Sequence, residues 1–181
     1  MKRLVYVLLC AAVMVAIVSC HQDDSNEPDA NELLFRTGSF SGRWSGDRMP
    51  VSLSLQNSRF TVDSLPYREI AEAVSSEEIV SMENIQCSPY EMRLIPYGTS
   101  SNAVLYQLTG GNYEFSARVN DKAHTYKVVF TFDPSGSMAI YYGTYNSVDI
   151  KLQVASVEDG PVKRSFIMNP MTLALHATSV K

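Results

Sequence analysis

The sequence contains little cysteine, with three residues, Cys10, Cys20 and Cys87, in a chain of 181. The first lies inside an apolar run near the start and the second directly follows that run, so only Cys87 belongs to the body of the chain. A disulfide framework is therefore excluded. The three histidines and Cys87 show no metal-ligand spacing, so we expect no zinc or iron site and predict no cofactor.

Positive charge is also scarce. The chain has 15 Lys and Arg residues against 19 Asp and Glu residues, and five of the acids lie between residues 21 and 32, where there is no base. Residues 33–181 carry 14 acids and 13 bases and are nearly neutral. Phosphate binding requires a basic stripe, and none is present. Nucleic acid is therefore not expected as a partner.

Catalytic motifs are missing as well. A nucleophile elbow places serine third in Gly-x-Ser-x-Gly, whereas the glycine pairs of residues 38–42 and 42–46 do not. We interpret both segments as strand with glycine at a close approach. Cys87 could pair with His124 or His176 as nucleophile and base, but a lone cysteine without a flanking motif is usually a buried structural residue. We predict no catalytic residue.

The first 19 residues have the layout of a secretory signal peptide. Lys2 and Arg3 precede fifteen apolar or small residues, which fall short of the roughly 20 that a membrane-spanning helix needs. Residues 17–20, Ile-Val-Ser-Cys, resemble a bacterial lipobox. The resemblance implies cleavage before Cys20 and attachment of acyl chains to it, so that the protein is anchored to the membrane by lipid. An ordinary signal peptide and a membrane-spanning anchor are the alternatives.

Residues 20–32 form an acidic, proline-containing segment, which we interpret as a solvated tether. Asp23 and Asp24 follow Cys20 closely, and acids at this place resemble the surface-export signal of Bacteroidetes lipoproteins. The resemblance implies an outer-membrane lipoprotein exposed at the cell surface. The opposite face of the membrane is the alternative.

Residues 33–181 form a single domain rich in short runs of Val, Ile, Thr, Tyr and Phe separated by turn residues, which predicts an all-β fold. The clearest strand covers residues 124–133, and the turn sequence of residues 133–136 predicts a hairpin with residues 138–142. Tight connections between neighbouring strands are expected at residues 109–112 and 119–122. The other predicted strands cover residues 38–47, 51–57, 59–63, 85–96, 103–109, 113–120, 147–157, 164–168 and 172–178.

One segment, residues 65–80, departs from the strand period. Helical spacing of apolar residues and a capping-box pattern of Ser75 with Glu78 predict one or two short helices there. The whole is an antiparallel meander that closes into a barrel or divides into a two-sheet sandwich. The sequence leaves both open.

Aromatic residues are concentrated between Tyr106 and Tyr145, which hold nine of the 17 aromatic residues that follow residue 19. Tyrosine combines an apolar ring with a polar hydroxyl, which suits sugar stacking or a protein interface. The ordinary preference of sheets for aromatic residues is the favoured explanation.

The lipobox and acidic tether are followed by Phe-Ser-Gly-Arg-Trp-Ser-Gly at residues 40–46 and Tyr-Gly-Thr-Tyr at residues 142–145. Together they resemble small Bacteroidetes lipoproteins of unassigned function, some of which are calycin-like β-barrels. The resemblance implies a barrel and assigns no functional residue. We expect a lipid-anchored binding or interaction module of the cell envelope, whose ligand is a glycan, a small apolar molecule or an envelope protein. A hydrolase and an assembly component of the outer membrane are the alternatives.

Overall fold

The described residues fold mainly as antiparallel sheet, with 60% of them in strands and 4% in helix. The computed structural model describes residues 28–47, 49–133 and 135–180. These residues contain one helix, α1 (Tyr67–Glu72), which follows the third strand. The strands are β1 (Gly38–Trp44), β2 (Val51–Gln56), β3 (Arg59–Val62), β4 (Met82–Cys87), β5 (Tyr90–Ser100), β6 (Ala103–Gly110), β7 (Tyr113–Val119), β8 (Lys122–Thr131), β9 (Met138–Tyr142), β10 (Ser147–Asp159), β11 (Val162–Ser165) and β12 (Met171–Ser179).

Eight of these strands close into a barrel in the order β1, β2, β3, β5, β6, β9, β10, β12. The last strand, β12, completes the ring because it pairs with β1 on one side and with β10 on the other. Closure leaves no unpaired barrel edge. Of the two architectures that the sequence left open, the structure confirms the barrel, which is consistent with the calycin-like type.

The long strand β10 is a branch point. Its first half pairs with β9 and its second half, from residue 153 onward, pairs with β8 along the same edge. The predicted hairpin of residues 124–133 with residues 138–142 is therefore wrong in its pairing. The turn does form, since Gly136 N–H donates to the Asp133 carbonyl at 3.0 Å, but it joins two strands that both pair with β10.

Strands β8, β7 and β4 extend away from the barrel, and we call them the wing. The connection at residues 119–122 is tight as predicted, because Val119 pairs with Lys122 and the two residues between them have positive φ. The connection at residues 109–112 was expected to join neighbouring strands. It instead carries the chain from the barrel strand β6 to the wing strand β7, which do not pair.

Helix α1 packs against the wing. The Tyr67 ring lies 4.8 Å from the Phe115 ring between centroids, and Ile70 and Ala71 are fully buried. The predicted capping box is wrong, since the Ser75 hydroxyl bonds the Glu77 backbone in a turn that starts no helix.

Two strand predictions need correction. Residues 85–96 were expected to form one strand, and the chain instead makes β4 and β5 with a break at residues 88–89, where Pro89 cannot donate to a ladder. Residues 164–168 were also expected to be a strand, whereas β11 covers Val162–Ser165. The remaining predicted strands match the observed ones to within a few residues.

The end of the barrel at which the chain enters β1 is closed by residues 28–37, and we call it the basal end. Leu33 is fully buried there, and its N–H donates to the Tyr106 hydroxyl at 3.1 Å. Arg36 bonds the Tyr141 hydroxyl and Asn146 Oδ1, and thereby fixes the segment to the turn between β9 and β10. The last described residues also lie here, since the Val180 N–H donates to the carbonyl of Ser39. Among the described residues, no helix has the length and hydrophobicity of a membrane span.

Candidate functional site

The barrel interior is filled by side chains. Trp44, Phe60, Tyr106 and Tyr141 are among its largest buried residues, and none of them is more than 2% exposed. Burial raises the pKa of Tyr106 to about 12, which is typical of a phenol removed from water. Depressions that open to solvent lie on the outer surface of the described residues.

One of these depressions, which we call the outer groove, crosses four neighbouring barrel strands, β1, β12, β10 and β9. Its volume is about 460 Å³. It is lined by Arg43, Ser45, Met138, Ile140, Asp149, Ile150, Lys151, Thr172, Ala174, Leu175 and His176.

Strand register explains which side chains meet there. Arg43 lies opposite His176, His176 opposite Asp149, and Asp149 opposite Ile140, so these four residues form one row across the barrel wall. Side chains alternate between the two faces of a strand, so outward-facing residues recur two positions along. Ala174 accordingly belongs to the next outward row. Because its side chain is small, it leaves the space that forms the depression.

That next row continues from Ala174 through Lys151 to Met138. With Ile140, the methionine and alanine form an apolar floor. Lys151 lies within this floor, between Ala174 and Met138, and Arg43 lies at its β1 side. The arrangement suits a ligand that carries both an apolar part and a negative charge.

Asp149 is the single carboxylate of the groove lining. It lies 2.5 Å from His176 Nδ1, and this contact orients the imidazole along the groove. The neighbouring Tyr142 is partly buried, and burial together with Asp149 raises the pKa of its hydroxyl. Arg43 and Lys151 outnumber Asp149 in the lining, so these three side chains together carry a net positive charge.

A second histidine–aspartate pair lies on the wing. His124 Nδ1 is 2.7 Å from Asp159 Oδ2, and the imidazole stacks on Tyr126 at 5.9 Å between ring centroids. Burial, with a further contribution from Asp159, raises the pKa of Tyr126 to about 12. Among the hydrogen bonds of the described residues, none links the His124 ring to a serine, threonine or cysteine. The pair therefore lacks the nucleophile of a catalytic triad.

Cys87 is exposed, which corrects the expectation of a buried structural residue. Its sulfur lies 3.0 Å from the Tyr67 hydroxyl, which is 3.1 Å from the Tyr113 hydroxyl. Burial and the contact with Cys87 raise the pKa of Tyr67 to about 12. Neither His124 nor His176 belongs to this hydrogen-bonded group, so the nucleophile and base pair considered from the sequence is not assembled.

A second depression, of about 420 Å³, lies between the loop after β1 and helix α1 and contains Asp47, Glu69 and Glu72. Burial, Glu72 and Asp47 all raise the pKa of Glu69. In the described part of the chain, no three His, Cys, Asp or Glu side chains form a ligand set for a metal ion.

The aromatic concentration between Tyr106 and Tyr145 lies mostly in the core, in agreement with the favoured explanation. Six of its nine members are buried: Tyr106, Tyr113, Phe115, Tyr126, Phe130 and Tyr141. Tyr145 is the one with a largely exposed ring.

The residues singled out for export and anchoring, Cys20, Asp23 and Asp24, lie outside the described residues. The outer groove, by contrast, could not be found from the sequence, because its residues come from four separated segments. The alternation of Leu173, Leu175 and Ala177 with Ala174 and His176 does indicate which residues face outward.

The fold and the surface define an antiparallel β-barrel domain with a filled interior and solvent-open grooves. Residues 37–159 match the family model described as "Domain of unknown function (DUF4840)", and the chain belongs to that family. The match begins beside β1 and ends with β10, so β12, which closes the barrel, lies beyond it. Comparison with curated proteins and with solved structures gives no match.

Proposed function

We propose that this chain is a lipid-anchored module of the bacterial outer membrane, exposed at the cell surface, which binds a segment of an envelope protein in the outer groove. The apolar floor, with Lys151 within it and Arg43 at its β1 side, is the observation that carries the binding role. A ligand with an apolar side chain next to a carboxylate satisfies both features, because the two cations can donate hydrogen bonds to the carboxylate while the apolar side chain removes the floor from water.

The choice of a protein segment over a glycan follows from the groove lining. Sugars are commonly bound by stacking on aromatic rings, and the lining consists of aliphatic, small and charged residues. A small apolar ligand is disfavoured for a related reason, since the groove is shallow and opens to solvent rather than enclosing a molecule.

The binding role is tested by selecting peptides on the purified chain from a random displayed library and measuring the affinity of a selected peptide by calorimetry. We expect selected peptides to combine apolar and acidic residues and to bind in the micromolar range, about −8 kcal/mol. Ala174→Arg, which fills the floor, should abolish binding. Thr178→Arg is the matched control, because it places the same side chain on an exposed position of β12 outside the groove lining.

Lysine substitution gives the second arm of this test. Lys151→Glu reverses the charge between Ala174 and Met138 and should weaken binding of an acidic peptide by roughly tenfold or more. Equal affinity for the A174R, T178R and unchanged chains would refute the groove as the binding site. Binding to an array of glycans that A174R abolishes would replace the protein segment by a glycan.

The anchoring role depends on Cys20, and export on Asp23 and Asp24. Cys20→Ser should release the chain from the membrane fraction, because the acyl chains supply the anchoring free energy. Alanine at Asp23 and Asp24 should leave lipidation intact and reduce cleavage by protease added to whole cells. A double variant as accessible to protease as the unchanged chain would show that these acids only solvate the tether.

The hydrolase alternative has one observation in its favour, the His124–Asp159 contact at 2.7 Å. Turnover of an activated ester that is lost in His124→Ala and kept in His176→Ala would support it. Turnover that is the same in both variants would oppose it.

A further inference from the structure

The basal end carries three strongly exposed apolar side chains. Phe35 is 86% exposed, Tyr145 is 77% exposed and Val180 is 54% exposed. Each lies next to a residue that forms a hydrogen bond within the basal end. Exposing large apolar side chains to water does not stabilise a protein. Where several such side chains lie together, they mark an interaction surface.

A hydrogen-bonded network brings the three together. Arg36, which follows Phe35, bonds Asn146, which follows Tyr145. The carbonyl of that asparagine accepts the N–H of Ser179, the residue before Val180, at 2.9 Å. The network therefore places residues 35–36, 145–146 and 179–180 side by side at the basal end, and we call their exposed members Phe35, Tyr145 and Val180 the basal patch.

The chain reaches this patch directly from its tether. The described residues begin at Pro28, eight positions after Cys20. Eight residues span at most about 29 Å when fully extended, since each adds no more than about 3.6 Å. A lipid on Cys20 therefore holds the basal end within about 30 Å of the membrane surface.

We propose that the basal patch rests on the lipid surface, with Phe35, Tyr145 and Val180 in the headgroup region. The proposal rests on the anchoring part of the proposed function. Aromatic side chains favour the membrane–water interface, where a tyrosine ring is partly dehydrated and its hydroxyl stays hydrated.

The charges at the basal end are compatible with this contact. Arg36 forms an ion pair with Glu32 at 3.6 Å. Asp29, which is exposed, is the nearby acid that does not pair with Arg36. Three side chains are too few to bind a membrane alone. The tether compensates for this weak binding, because it keeps the patch at a high effective concentration beside the lipid.

The test uses the full lipidated chain in phosphatidylcholine vesicles, with and without bromine on the acyl chains. Bromine quenches tryptophan fluorescence on close contact, and the natural Trp44 is 2% exposed. Phe35→Trp places a reporter in the basal patch. Met49→Trp is the matched control, because Met49 is 68% exposed and lies in the loop after β1, at the opposite end of the barrel.

We expect brominated vesicles to quench F35W roughly twofold or more over M49W, as for a group that enters the headgroup region. Tyr145→Trp should behave like F35W. Equal quenching of F35W and M49W in chains that float with the vesicles would overturn the orientation alone. A blue-shifted F35W emission that bromine leaves unchanged would mean that a second copy of the chain covers the patch. A chain that does not float with the vesicles would overturn the lipid anchor itself, and this proposal with it.

Discussion

Gly42 is the position at which a single methyl group should open the barrel. A Cβ at this position would lie 2.0 Å from the carbonyl oxygen of His176 and 2.6 Å from Ala177 Cα. Both atoms belong to the backbone of β12, which cannot turn aside as a flexible side chain can. Gly42→Ala therefore requires β1 and β12 to separate by about 1 Å or more before an ordinary contact distance is reached.

The cost follows from two contributions. Overpacking against a closed structure costs about 1–3 kcal/mol, and each weakened ladder hydrogen bond adds about 0.5–1.5 kcal/mol. We expect Gly42→Ala to lower the free energy of unfolding by about 3 kcal/mol, a large share of the roughly 5–15 kcal/mol of a typical domain. Gly38→Ala is the matched control on the same strand, because a Cβ there meets no atom within 4 Å.

Urea unfolding followed by fluorescence measures the difference. Trp44 is the one tryptophan of the chain and is buried two residues from Gly42, so its emission reports on β1 directly. The Gly38→Ala chain should stay within about 1 kcal/mol of the unchanged protein, since alanine also restricts the unfolded chain. Two alanine variants of equal stability would refute the close approach of β1 and β12.

Three further predictions concern the core, the thiol and alkaline pH. Leu33→Ala should lower the free energy of unfolding by about 2–5 kcal/mol in thermal or urea melts, because Leu33 is fully buried at the basal end. A loss below about 1 kcal/mol would show that residues 28–37 do not belong to the core. Cys87→Ala should change stability by less than about 1 kcal/mol, since the residue is exposed, and the native thiol should react with a thiol reagent. The pKa values of Tyr67, Tyr106 and Tyr126 are raised to about 12, so between pH 10 and 12 the folded chain holds protons that the unfolded chain releases. The free energy of unfolding should therefore fall as pH rises above 10, by about 1 kcal/mol per pH unit for each such tyrosine. A free energy of unfolding that stays constant up to pH 12 would contradict the burial of these hydroxyls.

The strands were predictable because their signals are local. Alternation of apolar residues in Val51–Gln56 and Met171–Ser179 places one side of each strand in the core, and the observed burial alternates in the same way. Glycine at a close approach was also expected for residues 38–42, and Gly42 fulfils it. The alternation of apolar residues did not predict the strand Met82–Cys87, because most of its residues are exposed and their order carries no information on burial.

Pairing and site could not be predicted, because both depend on residues far apart in the chain. The turn after Asp133 has the composition of a hairpin turn, yet β8 and β9 share β10 as a common partner, whose length of 13 residues accommodates both. The outer groove depends in the same way on the closure of β12 between β1 and β10. Closure aligns Arg43 with His176 and Asp149, and no local pattern contains that register.

The two proposals together constrain what can occupy the outer groove. With the basal patch on the membrane, β1 rises away from the lipid from Gly38 to Arg43, which is five residues along a strand of about 3.3 Å rise per residue. A barrel strand tilted by about 40° gains about 12 Å of height over that length. The groove then opens sideways above the headgroups, where an acyl chain of the same membrane cannot reach it. A segment of a protein anchored in or standing on that membrane can reach it from the side, and this favours an envelope protein over a lipid as the occupant.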